Sequence, residues 1–320
     1  MKTLIAGHTT HDHYQGGFAA GGCAFYGAKV HHALDRLAAR ARCPRTDGTS
    51  AASVRGHLAL VDGHTHLVTV VGHDFTRDDE LSDLDATVHR QGQTTVFANY
   101  YPDDAPRIQL LEAMAPEVTP DMVSDTMLDA DLVHLAPVLG EIDLLRWKDA
   151  VGDGLLAINV QGWIKVPGPV FDASELEGVQ QRGVTGQAHR VVQQFWDVTE
   201  EDFRGVDIAC LSEEDVIDQP GLLDKLVRAV PIVAYTLGEQ GSRIYVDGEP
   251  TEVGIYPTDA VDPTGAGDTF AASFCHQIAA GHAPVDAARF AAACASIVVE
   301  DIGARALTRL DEAEGRMEAI

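Results

Sequence analysis

The ten residues Val261-Asp262-Pro263-Thr264-Gly265-Ala266-Gly267-Asp268-Thr269-Phe270 place small side chains and one carboxylate at a spacing that can do chemistry. A strand-like stretch, Thr251–Val261, leads into a Pro-Thr-Gly turn. From Asp268 onward the apolar residues Phe270, Phe274 and Ile278 recur every four positions, as on one buried helical face. Gly265, Ala266 and Gly267 leave the first N–H groups of that predicted helix uncovered. Those groups lack intrahelical partners and sit at the positive end of the helix dipole, so they attract an anion. A carboxylate at the same place is unfavourable unless it has a task there, and taking a proton from a substrate hydroxyl is such a task. The chemistry implied is phosphoryl transfer with Asp268 as base. A tight turn with an ordinary N-capping Asp uses the same residue types, and the length of the run is what separates the two readings.

Such a turn needs a frame. Apolar strand candidates are Thr3–Ala6, His57–Val61, His66–Val71, Ala86–Tyr100, Leu132–Leu135, Leu155–Val160, Val206–Leu211, Ile232–Thr236 and Ser242–Val246. Helix candidates are Gly22–Ala41, Ile108–Ala115, Leu222–Val230 and Val285–Val299. Strands alternating with helices predict an α/β fold with a parallel sheet covered on both faces. The pair His57–Val61 and His66–Val71 reads as a hairpin about Asp62-Gly63-His64-Thr65. Ala86–Tyr100 is long and polar for a central strand, so it is expected to leave the main sheet as a partial lid over a cleft.

At 320 residues and 45% apolar content the chain can build one large domain, and no apolar run is long enough to span a bilayer. The short apolar start, Met1–Gly7, is not a secretory signal. Five scattered cysteines without a C-x-x-C pair read as reduced packing residues of a cytoplasmic protein. A net charge of −26, with only Lys2, Lys29, Lys148, Lys165 and Lys225 as lysines, argues against nucleic-acid and anionic-membrane partners. An anionic phosphoryl donor would then rely on helix N-termini, a metal ion and a few local cations.

Further residues cluster at predicted strand ends, where ligands collect in open parallel sheets. After the first strand come Asp12, able to accept hydrogen bonds from hydroxyls, and the pair Gly21-Gly22, which permits close backbone approach. Glu141, Gln161 and Lys165 follow the middle strands, as hydroxyl and phosphate ligands or as ordinary surface residues. Ser212, Glu214 and Asp215 end the strand Val206–Leu211, and Gly238 and Gly241 follow Thr236. His8, His11, His13, His64 and His66 lack neighbouring ligands at zinc spacing and read as polar lining.

The run through Asp268 resembles the nucleotide-proximal signature of the ribokinase/PfkB family of carbohydrate and nucleoside kinases, and the likeness extends unevenly along most of the chain. The resemblance implies a three-layer α/β/α ribokinase-like fold over residues 1–320, with a central mostly parallel sheet. It implies a reduced β lid from about residues 86–103, since only eight residues separate Asp12 from Gly21. It places the anion hole at Gly265, Ala266 and Gly267 and the catalytic base at Asp268. Acceptor binding falls on Asp12, Gly21, Gly22, Tyr26, Glu141, Gln161 and Lys165, and nucleotide binding on Ser212, Thr236, Gly238, Gly241, Ala292 and Ser296. The cofactors implied are ATP and Mg²⁺. Related kinases carry Asn-x-x-Glu where this chain has Ser212-Glu213-Glu214-Asp215, which leaves Glu214 and Asp215 as candidates for the metal.

His11-Asp12, Gly21-Gly22-Cys23-Ala24, Gly140-Glu141, the segment around Gln161 and Val299-Glu300-x-Ile302-Gly303 are most similar to inositol kinases, which makes myo-inositol the expected acceptor. The alternatives are another sugar or nucleoside kinase, and a binding protein that kept the fold and lost turnover. A dehydrogenase or P-loop enzyme is disfavoured, because neither G-x-G-x-x-G after the first strand nor G-x-x-x-x-G-K-[ST] occurs. A homodimer and a monovalent-cation requirement stay open.

Overall fold

The computed structural model describes residues 1–14, 17–42, 63–100, 107–172, 184 and 186–320. The chain begins with β1 (Lys2–Ala6), β2 (Thr10–Tyr14), β3 (Gly17–Gly21), α1 (Cys23–Arg42), β4 (His64–Val71), α2 (Asp78–Leu81), β5 (Asp85–Arg90), β6 (Val96–Tyr100) and β7 (Ile108–Ala113). Next come α3 (Asp125–Leu128), β8 (Leu132–Leu135), α4 (Leu144–Ala150), β9 (Leu155–Asn159), α5 (Gln161–Ile164), β10 (Lys165–Asp172) and β11 (Gln187–Gln193). The last third holds β12 (Ile208–Ser212), α6 (Leu222–Ala229), β13 (Ile232–Thr236), β14 (Ser242–Val246), β15 (Glu249–Val253), α7 (Ala266–Ala279), α8 (Pro284–Val298) and α9 (Ala313–Met317).

Among the described residues nine strands form the main sheet, in the order β15-β14-β13-β12-β9-β8-β1-β4-β5. Pairing is parallel from β5 to β13 and antiparallel only at the β13-β14-β15 edge. The central strands are apolar on both faces, and successive residues point to opposite sides. Leu4, Ala6, Val68 and Val70 pack with Trp147 of α4 and Leu222 and Leu226 of α6. Ile5, Leu67 and Val71 pack on the other face with Phe25 and Leu34 of α1 and Phe290 and Ile297 of α8. Phe274 and Cys275 of α7 join Ala157, Ile208 and Ala234 on that same side. This is the expected three-layer arrangement, with α1, α7 and α8 on one face and α4 and α6 on the other.

The lid is larger than expected. Among the described residues a separate six-stranded sheet, β10-β11-β7-β6-β2-β3, draws on residues 10–14, 17–21, 96–100, 108–113, 165–172 and 187–193. The short interval after Asp12 is therefore a working hairpin, with Asp12 paired to Ala19 and Thr10 to Gly21. Ala86–Tyr100 divides: β5 stays in the main sheet beside β4, and only β6 joins the lid. Ile108–Ala115, expected as a helix, is β7, paired to β6 and β11. Its two adjacent leucines serve two layers, Leu110 inside the lid and Leu111 toward the core under α1. So short a segment has no decisive period, and pairing on both edges settles it.

The strand expected at Thr251–Val261 stops at Val253, where Gly254 begins an irregular approach to the turn. The expected hairpin partner His57–Val61 and Cys43 lie outside the described residues. His66–Val71 belongs to β4, whose two edges are taken by β1 and β5. Among the described residues no helix is long and apolar enough to cross a membrane, and Cys23, Cys210, Cys275 and Cys294 are buried free thiols.

Candidate active site

Loops at the carboxyl ends of the central strands and the inner side of the lid converge on the start of α7. Gly265 precedes that helix in a left-handed conformation, φ 82°, which favours glycine. A Cβ at Gly265 would also stand 2.4 Å from the ring of Tyr26. Ala266 N–H donates to Pro263 O at 3.2 Å, and Thr269 N–H closes the first full turn on Gly265 O at 2.8 Å. The N–H groups of Gly267 and Asp268 are thus left at the open end of the helix. Nothing stands within 4 Å of where a Gly267 Cβ would be, so that side of the turn is open.

The turn itself is pinned by Asp262, a residue the sequence reading passed over. Its Oδ1 accepts from Thr264 N–H at 3.0 Å, and its Oδ2 accepts from Tyr14 Oη–H and Gly303 N–H, each at 3.2 Å. The backbone of Val261 and Asp262 donates to Val299 O. One carboxylate therefore ties the turn to the lid hairpin and to the segment after α8.

Asp12, Gly22, Tyr26, Gln161, Lys165, Gly265 and Asp268 line one cavity of about 70 Å³. Gln161 opens α5 and Lys165 closes it, so one short helix presents both. Lys165 Nζ donates to Gln161 Oε1 at 2.7 Å, and Gln161 Nε2 reaches Cys23 Sγ and, at 3.4 Å, Asp268 Oδ1. Burial raises the Asp268 carboxyl above the usual carboxylate range, with the Cys23 hydrogen bond, Lys165 and Arg107 pulling it back. Burial likewise raises the Asp12 carboxyl to about 6, against its bond from Thr10 Oγ1 at 2.8 Å. The same desolvation lowers Lys165. Gly21 is there because Asp12 is: a Cβ on it would stand 2.2 Å from Asp12 Oδ2.

Three side chains not anticipated line the same cavity: Asn99 of β6, and Arg107 and Gln109 at β7. Gln109 Nε2 donates to Asn99 Oδ1 at 3.2 Å. Gln109 lies on the strand that was expected to be a helix, with Arg107 just before it, and Asn99 lies within the expected lid segment Ala86–Tyr100, where no pattern singled it out.

Other expected residues stand elsewhere. Glu141 is fully buried, and its two carboxylate oxygens accept the N–H groups of His8, Val138 and Leu139 at 2.8–3.0 Å. It clamps the ends of β1 and β8 and does not line the cavity. Ser212 caps the turn Glu213–Val216, its N–H and hydroxyl both donating to Asp215 Oδ2 at 2.7 and 2.9 Å. Glu214 points out to solvent, with Oε2 3.6 Å from Arg107 Nη2. Thr236 ends β13, and Gly238 and Gly241, both at positive φ, bound the tight turn after it. Ala292 and Ser296 are buried on α8, and the Ser296 hydroxyl meets Ala293 O and Arg316. His8, His11 and His13 are held by Pro116, Thr95, Thr76 and Glu112.

Mg²⁺ prefers oxygen ligands and keeps much of its water. Asp215 acts electrostatically on both Lys165 and Asp268, and it commits Oδ2 to Ser212. Among the described residues no group of three His, Cys, Asp or Glu could hold a metal directly. Such a donor set fits a hydrated ion reached through Asp215, while Glu214 Oε2 is turned to Arg107.

Residues 198–310, which include this turn and the α7-α8 pair, match the pfkB family carbohydrate kinase model. Over that segment the chain is similar to the pfkB carbohydrate kinases. It is 27% identical over 266 residues to inositol 3-kinase of Arabidopsis thaliana, covering 81% of this chain and 69% of that one. A pyrophosphate-dependent kinase of the ribokinase family, solved with a pyrophosphate analog and myo-inositol, superposes with a TM-score of 0.66 at 18% identity, over 93% of this chain and 95% of its own. An E. coli structure described as a ribokinase II with ATP and Mg²⁺ superposes with a TM-score of 0.64 at 18% identity, covering 100% and 99%. The chain shares the ribokinase-like fold of both solved structures, and the enzyme class is a phosphotransferase with an alcohol acceptor.

Proposed function

We propose that the protein transfers the γ-phosphoryl group of ATP to a hydroxyl of myo-inositol. The observation that carries this reading is the meeting of Asp12, Gln161, Lys165 and Asp268 around one cavity at the open N-terminus of α7. In this reading Asp12 and the lid residues Asn99 and Gln109 accept and donate hydrogen bonds around the rim of a cyclitol. Asp268 takes the proton of the hydroxyl that attacks, and its raised affinity for a proton suits a base working near neutral pH. The N–H groups of Gly267 and Asp268 bind the charge that develops on the migrating group, and Lys165 neutralises it from the opposite wall. Mg²⁺, held through water by Asp215, would supply further charge neutralisation at the donor phosphates. Positioning does the rest, since reactants held in line gain several kcal/mol, about 7–11 for well-oriented pairs.

The similarity to inositol 3-kinase supports the acceptor. The test compares myo-inositol, ribose, fructose and adenosine at equal concentration, with Mg-ATP and with pyrophosphate as donor. The highest kcat/KM is expected for myo-inositol with Mg-ATP. Turnover of ribose or adenosine with none of myo-inositol would replace the acceptor and keep the kinase.

A further inference from the structure

We propose that Arg107, delivered by the lid, is a further catalytic residue that grips the transferring phosphoryl group. This rests on the phosphotransferase reading of the same cavity. Arg107 stands immediately before β7 and lines the cavity together with Asp12, Gln161, Lys165 and Asp268. Its charge acts on both Lys165 and Asp268, so the guanidinium lies in the field of the proposed base. The chain has 49 acidic residues against 23 basic ones, and two carboxylates, Asp12 and Asp268, face this cavity. An incoming phosphoryl group meets a negative field unless local cations offset it.

Lys165 is one such cation, but it is a compact charge held by Gln161. The planar fork of Arg107 suits two oxygens of a phosphoryl group, as it suits a carboxylate. In this structure that fork is held at the mouth of the cavity by Glu214, Nη2 to Oε2 at 3.6 Å. A second contact, Gln193 Nε2 to Glu214 O at 2.6 Å, joins β11 of the lid to the same turn. Glu214 keeps Arg107 parked between the lid and the donor side, and a phosphoryl group exchanges for it. In the transfer step the bond between the donor oxygen and phosphorus breaks, and the bond from the acceptor oxygen to phosphorus forms. The acceptor proton passes to Asp268, the electron pair of the broken bond leaves with the donor product, and Arg107 holds equatorial oxygens throughout.

The experiment measures steady-state kinetics of the full chain with myo-inositol and Mg-ATP for wild type, Arg107→Ala, Arg107→Lys and Glu214→Gln, with melting curves as a check of folding. Removing one preorganised donor to a transition-state oxyanion typically costs about 10²–10³-fold in kcat, and that loss is expected for Arg107→Ala. Acceptor KM should stay within about threefold, because the contact is made in the transition state. Added guanidinium should restore part of the Arg107→Ala rate, and Arg107→Lys should recover little. Glu214→Gln should lose far less than Arg107→Ala. Equal losses in Arg107→Ala and Glu214→Gln without rescue by guanidinium would mean a structural latch and overturn the proposal, as would a folded Arg107→Ala with near wild-type kcat. A wild type inactive on every acceptor and donor tested would overturn the kinase reading, and this proposal with it.

Discussion

In the proposed reaction two buried carboxylates divide the work at the scale of single residues, and each makes a separate demand on pH. Asp268→Asn keeps the shape of the side chain and its reach to Gln161 but cannot accept a proton. Loss of a positioned base costs about 10²–10⁴-fold, so kcat should fall by that factor while donor binding, read by calorimetry, is retained. Asp12 titrates at about 6 because burial, with Asp268 and Asp262 nearby, disfavours its charge. Below that pH it is neutral and no longer accepts from two hydroxyls at once. Acceptor kcat/KM should therefore drop as pH falls through 6, and Asp12→Asn, poorer throughout, should lack that limb. Stability runs the other way. The folded state binds the Asp12 proton more tightly than the unfolded chain, so its stabilising contribution is complete below 3.8 and lost as pH rises through 6. Asp12→Asn should melt higher than wild type at pH 7–8, and an equal or lower melting temperature would contradict the buried charge. Asp12 and Asp268 were both legible in the sequence, Asp12 because it comes shortly after the first strand and Asp268 because it follows Gly265-Ala266-Gly267. Asp262 was not, since nothing in Val-Asp-Pro-Thr says that its carboxylate will meet Tyr14, 248 positions away.

Two glycines of one helix start make different predictions at the scale of elements. Gly265 needs its positive φ and has Tyr26 against it, so Gly265→Ala should lower the melting temperature as well as the rate. Gly267 is helical and faces open space. Gly267→Val should fold without loss, since valine is a better helix former than glycine and nothing crowds its Cβ, and should fail in phosphoryl transfer because its side chain covers the N–H groups. Normal kinetics in a stable Gly267→Val would remove the anion hole. The helices α1, α6 and α8 and the strands β8, β13 and β14 were legible to within a residue or two, because their apolar periods are long or they are bounded by turn residues. The lid was not. Its strands face a core on one side and a cleft on the other, so polar residues such as Asn99 and Gln109 interrupt the pattern where the function lies. Glu141 misled for a related reason: a carboxylate after a strand can serve a ligand or the backbone, and here three N–H groups claim it.

The layers of the whole molecule meet around a buried polar chain that no motif announced. His31 of α1, His134 of β8 and His276 of α7 stand with ring centres 5.6–5.7 Å apart along the chain His134-His31-His276. His134 Nε2 meets Asn159 Oδ1 of β9 at 2.9 Å, and His31 Nε2 meets His134 Nδ1 at 3.3 Å. At the other end Asp35 of α1 faces His276 and takes the hydroxyl of Thr65 from β4. Packing α1 and α7 this closely on the sheet leaves His31 Nδ1 and His276 Nδ1 without a partner among the described residues. Burial holds His31 well below its ordinary value and His134 at about 4. Between pH 6.5 and 4 the unfolded chain thus binds protons that the folded chain refuses. The stabilisation from these two rings is complete above 6.5 and is lost as pH falls. Asp12 acts with the opposite sign over much of the same window, so the histidine effect is best read in an Asp12→Asn background. There, urea unfolding from pH 7.5 down to 5 should show stability falling with acid. His31→Leu should flatten that fall by about one proton, roughly 1.4 kcal/mol per pH unit where the unfolded histidine is charged and the folded one is not. An unchanged slope would mean that His31 takes up its proton in the folded state, and that α1 and α7 part from the sheet there more readily than their packing implies.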